Sequence, residues 1–161
     1  MSQNIYPGVF LAALIETVFP PIPSEVVFPL AGYSILKNEM NVFHVVGVGI
    51  TGGAGATVGA FVIYIISKRL GRIGLIKYLK YAKIKENSLE KADHWFEKYG
   101  DKSVIIGRVI PGIRELVSIP AGIFNMNPIK FLIFTLIGSC IWSIALTSAG
   151  YYFGIATLNI F

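Results

Sequence analysis

The apolar segments of this chain have two lengths, and the order of these lengths repeats. Residues 5–36 hold two apolar arms of about 15 and 11 residues, whereas a helix that crosses a membrane needs about 20 residues. Between the arms stand Pro20, Pro21 and Pro23, which would break a continuous helix. We predict a re-entrant hairpin that enters and leaves the membrane on one face. A single kinked helix is the alternative.

Residues 41–66 form an apolar run that is long enough to span a membrane. Glycines recur in it at a spacing of four, Gly49 with Gly53 and Gly55 with Gly59. This spacing places small residues on one helix face, where a second backbone, or alternatively a lipid, approaches closely. We predict a transmembrane helix that packs through these glycines.

A second hairpin and a second span complete the pattern. Residues 103–124 contain two short arms separated by Pro111 and Gly112, and residues 128–154 are again long enough to span. Because the first span crosses the membrane, the two hairpins would approach each other from opposite faces. The expected fold is an all-α polytopic membrane protein with two opposed re-entrant hairpins and transmembrane helices in an inverted repeat. Unrelated hairpins without symmetry are the alternative.

Composition and charge support a single membrane domain over residues 1–161. Apolar residues make up 54% of the chain and charged residues 14%, against roughly 25% charged in soluble domains. Residues 68–102 hold ten of the 14 lysines and arginines. We interpret residues 67–102 as a basic amphipathic helical segment at the cytoplasmic headgroups, with Ser88 as a helix N-cap and Gly100 as its end. A nucleic-acid-binding protein would not place the rest of its chain in apolar runs.

Charged residues inside the predicted hairpins mark a candidate site. The first hairpin carries Glu16 and Glu25, and the second carries Arg108, Arg114 and Glu115. A charge at bilayer depth costs at least about 2.5 kcal/mol on insertion scales. Non-helical backbone at that depth is tolerated only where it is buried in protein or lines water. We therefore predict that the hairpins face each other and that their acids and bases meet in one pocket.

The two arginines predict an anion-binding site. An arginine fork binds phosphate or carboxylate oxygens in bidentate fashion and stays charged. A helix break at Pro111 and Gly112 lets Arg108 and Arg114 turn to one point, and the broken ends free backbone N–H groups that suit an anion. We predict that Arg108 and Arg114 bind substrate.

The two glutamates predict a proton-coupling role. A carboxyl group in such a pocket is able to take up and release a proton, because burial favours its neutral form and a nearby arginine its charged form. In the alternative, Glu16 and Glu25 only neutralise the arginines as ion pairs, and both roles can hold together. No metalloprotease, nucleophile-elbow or phosphate-loop motif and no Cys/His metal set is present. The chain is therefore predicted to be no enzyme and to need no metal or cofactor.

Two stretches resemble the DedA family of bacterial membrane proteins, also called SNARE-associated or VTT-domain proteins. They are "FPPIPSEVVFPLAGY" and, some 80 residues later, "GRVIPGIRELVSIPAGIFNM", and the likeness covers about residues 8–154. The resemblance implies a multi-pass protein of the bacterial cytoplasmic membrane. It implies a carrier that moves a lipid such as undecaprenyl phosphate or phosphatidylethanolamine between leaflets, with proton dependence. The family's functional positions correspond to Glu16, Glu25, Arg108 and Arg114.

The chain departs from the family pattern at two positions of the second stretch. Val109 stands where phenylalanine is common, and Glu115 stands where threonine or serine is frequent. Glu115 is a candidate modulator of substrate choice. An extra carboxylate beside the arginines favours a zwitterionic headgroup with an amine, so phosphatidylethanolamine stays a candidate substrate. The expected partners are membrane lipids, a lipid phosphate or anionic headgroup as substrate, and protons, with no nucleic acid; a homo-oligomer is compatible with this arrangement. A proton-coupled antiporter of small cations or drugs and a scaffold without transport are the alternatives.

Overall fold

The computed structural model describes residues 5–18, 24–81, 86–111, 113–114 and 116–158, and these residues are helical apart from short connections. The predicted turn residues Pro20, Pro21, Pro23 and Gly112, and the candidate modulator Glu115, lie outside the described residues. The described residues form seven α-helices, which are α1 (Ile5–Val18), α2 (Ser24–Lys37), α3 (Phe43–Tyr81), α4 (Glu86–Tyr99), α5 (Ser103–Arg108), α6 (Ser118–Ile123) and α7 (Pro128–Leu158). A 3₁₀ turn at Gly100–Lys102 lies between α4 and α5.

Helices α3 and α7 are the two long apolar helices among the described residues. Their stretches Phe43–Gly71 and Pro128–Gly154 have mean hydropathies of 1.7 and 2.0, and each is long enough to cross a membrane. On α7 one apolar face is left uncovered by the protein, with Ile129, Ile133 and Ile141 each at least half exposed. A helix in contact with lipid presents such a face.

The predicted end of the first span at residue 66 is wrong. Helix α3 continues through Ser67, which is fully buried and whose hydroxyl donates to the carbonyl of Ile63 at 2.8 Å. The helix changes direction only at Gly71, where φ is 60° and ψ is −167°. The change from apolar to basic sequence at Lys68 therefore does not coincide with a break in the backbone.

Helix α4 is amphipathic, as predicted for the basic segment. Ser88 is not its N-cap, because the helix already begins at Glu86. Gly100 does end it, with a φ of +57° that glycine adopts without strain. The apolar face of α4 packs at the end of α6, where Phe96 stacks on Phe124 at 5.3 Å between ring centroids.

The glycine spacings in α3 mark its helix contacts, as predicted. Gly49 and Gly53 lie against α7, whereas Gly55 and Gly59 lie against α1. A Cβ atom added at Gly53 would lie 2.9 Å from the Cα atom of Cys140, closer than packed atoms allow. These faces explain how α3 contacts two helices at once.

In each pair of short helices, α1 with α2 and α5 with α6, one helix packs on α3 and the other on α7. Helices α1 and α2 have 14 residues each, about 21 Å of helix, and α5 and α6 have six each. Helix α1 packs mainly on α3 and α2 on α7, while α5 packs mainly on α7 and α6 on α3. Such a reciprocal exchange is what two repeats related by a two-fold axis produce, and it supports the inverted repeat, which stays a prediction.

Single-cysteine labelling tests the opposed hairpins. In a Cys140→Ala background, Pro21→Cys and Gly112→Cys are expected to react with a membrane-impermeant maleimide from opposite faces of the membrane, because one span separates the hairpins. Asn38→Cys and Lys98→Cys, at exposed positions after the first hairpin and on α4, serve as controls for the two faces. Labelling of both hairpin positions from the same face would refute the inverted repeat.

Candidate functional site

The centre of the site is an ion pair between the two predicted hairpins. Arg114 Nη2 donates a hydrogen bond to Glu16 Oε1 at 2.7 Å. Both residues are buried, with 8% of Arg114 and 3% of Glu16 exposed. The predicted convergence of acids and bases from the two hairpins is therefore present, across 98 residues of sequence.

Glu25 lies at the edge of this centre. Its Oε1 is 4.0 Å from Arg114 Nη2, and 46% of its side chain is exposed. It stands in the first turn of α2, where the helix dipole favours a carboxylate. The two predicted proton-coupling residues thus differ, since Glu16 is buried in the ion pair and Glu25 is accessible.

Arg108 approaches the same centre from the end of α5. It is 3% exposed, and its Nη2 donates to Ser118 Oγ at 2.9 Å. Gly138 of α7 makes room for it, because a Cβ atom there would lie 2.6 Å from Arg108 Cβ. Ser118 was not expected to take part, and it is the first residue of α6.

The two arginines line one small cavity, as the sequence predicts. Its volume is about 20 Å³, which suffices for about one water molecule. Its wall comes from five helices and the turn that carries Arg114, and the lining residues are Ala13, Glu16, Thr17, Phe28, Ala56, Arg108, Arg114, Ser139, Trp142 and Ser143. This volume is too small for a phosphate group beside the ion pair of Arg114 and Glu16.

The expectation that the helix break frees backbone N–H groups is wrong for the described part of the turn. The amides of Arg114 and Ile113 both donate to the carbonyl of Ile110, at 3.1 and 3.3 Å. Leu116 and Val117 donate to the carbonyl of Ile113, each at 3.0 Å. The amides of these four residues are therefore paired within the turn.

Helix α7 contributes side chains that the sequence did not single out. Trp142 lies beneath Arg114, with the guanidinium carbon 5.4 Å from the ring centroid, a cation–π distance. Ser139 and Ser143 share this face of the helix at a spacing of three and four residues. The signal available was this spacing of polar residues within an otherwise apolar span, "GSCIWSIAL".

The family of the chain follows from its sequence. A family model of the VTT domain matches residues 22–152. The chain belongs to the VTT-domain, or DedA, family. Within this DedA-family protein the matched residues include Glu25, Arg108 and Arg114, whereas Glu16 precedes them.

Relatives of this DedA-family chain align over nearly its whole length. It is 36% identical over 155 residues to the alkaline phosphatase-like protein of Lactococcus lactis subsp. cremoris strain MG1363, covering 93% of this chain and 71% of the relative. It is 32% identical over 154 residues to undecaprenyl phosphate transporter A of Staphylococcus aureus strain NCTC 8325, covering 93% and 74%. It is 30% identical over 155 residues to protein DedA of Escherichia coli strain K12, covering 93% and 69%. No solved structure matches the chain.

Membership of the DedA family places the chain among membrane transport proteins. The two long apolar helices agree with this class. The ion pair of Arg114 and Glu16, with Arg108 beside it, is thus the candidate site of a transporter.

Proposed function

We propose that this protein moves a phosphate-bearing lipid between the leaflets of the bacterial cytoplasmic membrane, in a proton-coupled cycle and without enzymatic chemistry. The observation that carries the proposal is the cavity lined by two buried arginines and closed by one carboxylate. A phosphate oxygen can take the place of Glu16 Oε1 on Arg114, because both are anionic acceptors for the same fork. The carboxylate holds the site closed until substrate arrives.

An open groove beside the site favours a lipid over a water-soluble anion. The groove lies between α2 and α7, has a volume of about 470 Å³, and is lined by Glu25, Val26, Pro29, Leu30, Tyr33, Gly150, Phe153 and Gly154. Glu25 connects it to the arginines, since its carboxylate lies 4.0 Å from Arg114. An amphiphile would place its headgroup at the arginines and its tail along this apolar groove.

The name of the Staphylococcus aureus relative, undecaprenyl phosphate transporter A, supports a lipid phosphate as the substrate. Phosphatidylethanolamine is the second candidate lipid, because Glu25 offers its amine a carboxylate at the edge of the site.

Proteoliposomes that contain the purified protein test the proposal. Fluorescently labelled undecaprenyl phosphate and phosphatidylethanolamine are compared with a labelled neutral diacylglycerol, and movement between leaflets is followed by dithionite quenching. We expect protein-dependent movement of at least one phosphate-bearing lipid and none of the neutral lipid. Equal movement of all three, or of none, would overturn the proposed function.

Proton coupling is predicted to run through Glu16. Protonation of its carboxylate removes the charge that holds Arg114, so a proton opens the site for phosphate. A pH gradient across the liposomes is therefore expected to accelerate lipid movement in the wild-type protein and to have no effect on Glu16→Gln. Glu39→Gln, at an exposed position after α2, is the matched control. A full gradient response in Glu16→Gln would exclude this route.

The second candidate function is proton-coupled antiport of cations. Glu25 is half exposed at the end of an apolar groove, which also fits a cationic amphiphile such as a drug. In the same liposomes, proton-driven uptake of a cationic dye that is lost in Glu25→Gln but kept in Arg114→Lys would favour antiport over lipid transport.

A further inference from the structure

Two hydrogen-bond donors of α7 face the arginine cavity without an acceptor. Ser139 Oγ and the indole Nε1 of Trp142 are buried, and neither has a hydrogen-bond partner among the described residues. Both residues line the cavity of Arg108 and Arg114. Ser139 is 5% exposed, so bulk water does not replace the missing acceptor.

The hydroxyl of Ser139 does not make a bond that six other hydroxyls of the described helices make. Hydroxyl groups inside a helix commonly donate to the carbonyl four residues earlier. In the described helices this bond is made, at 2.7 to 2.8 Å, by Thr17, Ser34, Thr51, Thr57, Ser67 and Thr147. The hydroxyl of Ser139 does not make it, and Ser139 lines the cavity, so this hydroxyl is available to a group that enters there.

We propose that Ser139 and Trp142 donate hydrogen bonds to the phosphate group of the substrate and select a lipid phosphate monoester. This inference rests on the proposed function. Indole N–H is a donor only, and an unpaired buried donor is costly. An acceptor that enters between two arginines and satisfies both donors is therefore anionic and rich in oxygen.

The number of donors distinguishes monoesters from diesters. Arg108 and Arg114 already suffice for the two free oxygens of a phosphodiester headgroup. A monoester has three free oxygens, and the hydroxyl of Ser139 and the indole N–H of Trp142 supply the further donors that the third oxygen needs. The cavity of about 20 Å³ has room for about one water molecule, so the monoester enters only when Glu16 moves away.

Calorimetric titration of the full chain in detergent micelles tests this selection. The probes are dioctanoyl phosphatidic acid as the monoester, dioctanoyl phosphatidylmethanol as the diester, and inorganic phosphate as the free anion. Ser139→Ala and Trp142→Phe are each expected to weaken phosphatidic acid binding about tenfold, as loss of a hydrogen bond to a charged group does. The Kd of the diester is expected to change less than about threefold in both variants, because its two free oxygens are already bound by the arginines. The phenylalanine keeps a ring beneath Arg114 and removes the N–H.

Thr135→Val is the matched control. Thr135 lies one turn before Ser139 on α7, is fully buried, and its hydroxyl likewise has no partner among the described residues, yet it does not line the cavity. Its removal should leave binding of all three probes unchanged, and thermal unfolding shows that each variant is folded.

The outcomes separate this inference from the function on which it rests. Wild-type affinity for phosphatidic acid in both Ser139→Ala and Trp142→Phe, with loss of binding in Arg114→Lys, overturns the donor role and leaves the proposed function standing. If these two variants bind the monoester and the diester equally more weakly than the wild type does, the proposed selection of monoesters is wrong. If the wild-type protein binds neither lipid, the proposed function and this inference fall together. Inorganic phosphate that binds as tightly as phosphatidic acid, and with the same tenfold dependence on Ser139, supports the donor role and identifies the free anion as its ligand.

Discussion

Replacing Arg114 by lysine is expected to slow translocation of the labelled phosphate-bearing lipid about a hundredfold, the effect of about 3 kcal/mol. Lysine keeps the positive charge but loses the planar fork that donates to Glu16 Oε1 at 2.7 Å. It also loses the flat face that lies 5.4 Å from the Trp142 centroid. Two charge-assisted hydrogen bonds of about 1.5 kcal/mol each to the bound phosphate account for this size.

Arg69→Lys provides the matched control for this substitution. Arg69 stands exposed near the end of the apolar part of α3, so the same chemical change there should leave the translocation rate within the error of the assay. Quenching kinetics in proteoliposomes with equal amounts of protein measure both rates. Wild-type translocation by Arg114→Lys would contradict bidentate binding of the phosphate by Arg114, because an ammonium group cannot reproduce such a contact.

The convergence of the charges was predictable because its physical cause is strong. Glu16 and Arg114 are far apart in sequence, but each is too costly at bilayer depth without a partner. Two short segments that carry opposite charges therefore have few arrangements other than facing each other. The order of short and long apolar segments likewise predicted which helices are long, since span length follows membrane thickness.

The side chains contributed by α7 were not predictable in the same way. Serine is common in membrane helices, where it usually bonds to its own backbone, and Trp142 lies in an apolar run that needs no special explanation. Only the packing of α7 against α2 and α5 shows that Ser139 and Trp142 face the arginines. The sequence contains their spacing, but not the direction in which that helix face points.

Two errors have local causes. The amides near Pro111 were expected to be free, yet the turns around Ile110 and Ile113 bond them again, because buried N–H groups rarely stay unpaired. The first span was predicted to end at residue 66, where basic residues begin. Charge indicates where a chain meets the headgroups, whereas a helix changes direction where its backbone allows it, which here is Gly71.

Removing the guanidinium of Arg114 is expected to lower the free energy of unfolding by about 3–5 kcal/mol, because Arg114→Gln leaves the carboxylate of Glu16 buried without its cation. Adding Glu16→Gln to the Arg114→Gln variant removes the buried charge and is expected to recover most of the lost free energy of unfolding. Unfolding in mixed detergent micelles, with the wild type, both single variants and the double variant, measures the coupling.

The exposed ion pair of Lys130 and Asp101 is the reference for this double-mutant measurement. Lys130 Nζ lies 3.4 Å from Asp101 Oδ2, with 61% and 40% of the side chains exposed, so its coupling should stay below about 1 kcal/mol. A coupling as small for Arg114 and Glu16 would show that the site is hydrated and that the carboxylate does not hold it closed. If the coupling energy is large and Glu16→Gln still shows normal gradient-driven transport, Glu16 has only a structural role as the ion-pair partner of Arg114. A large coupling joined to loss of the gradient response gives Glu16 both roles, since one carboxylate then stabilises the closed site and releases it on protonation.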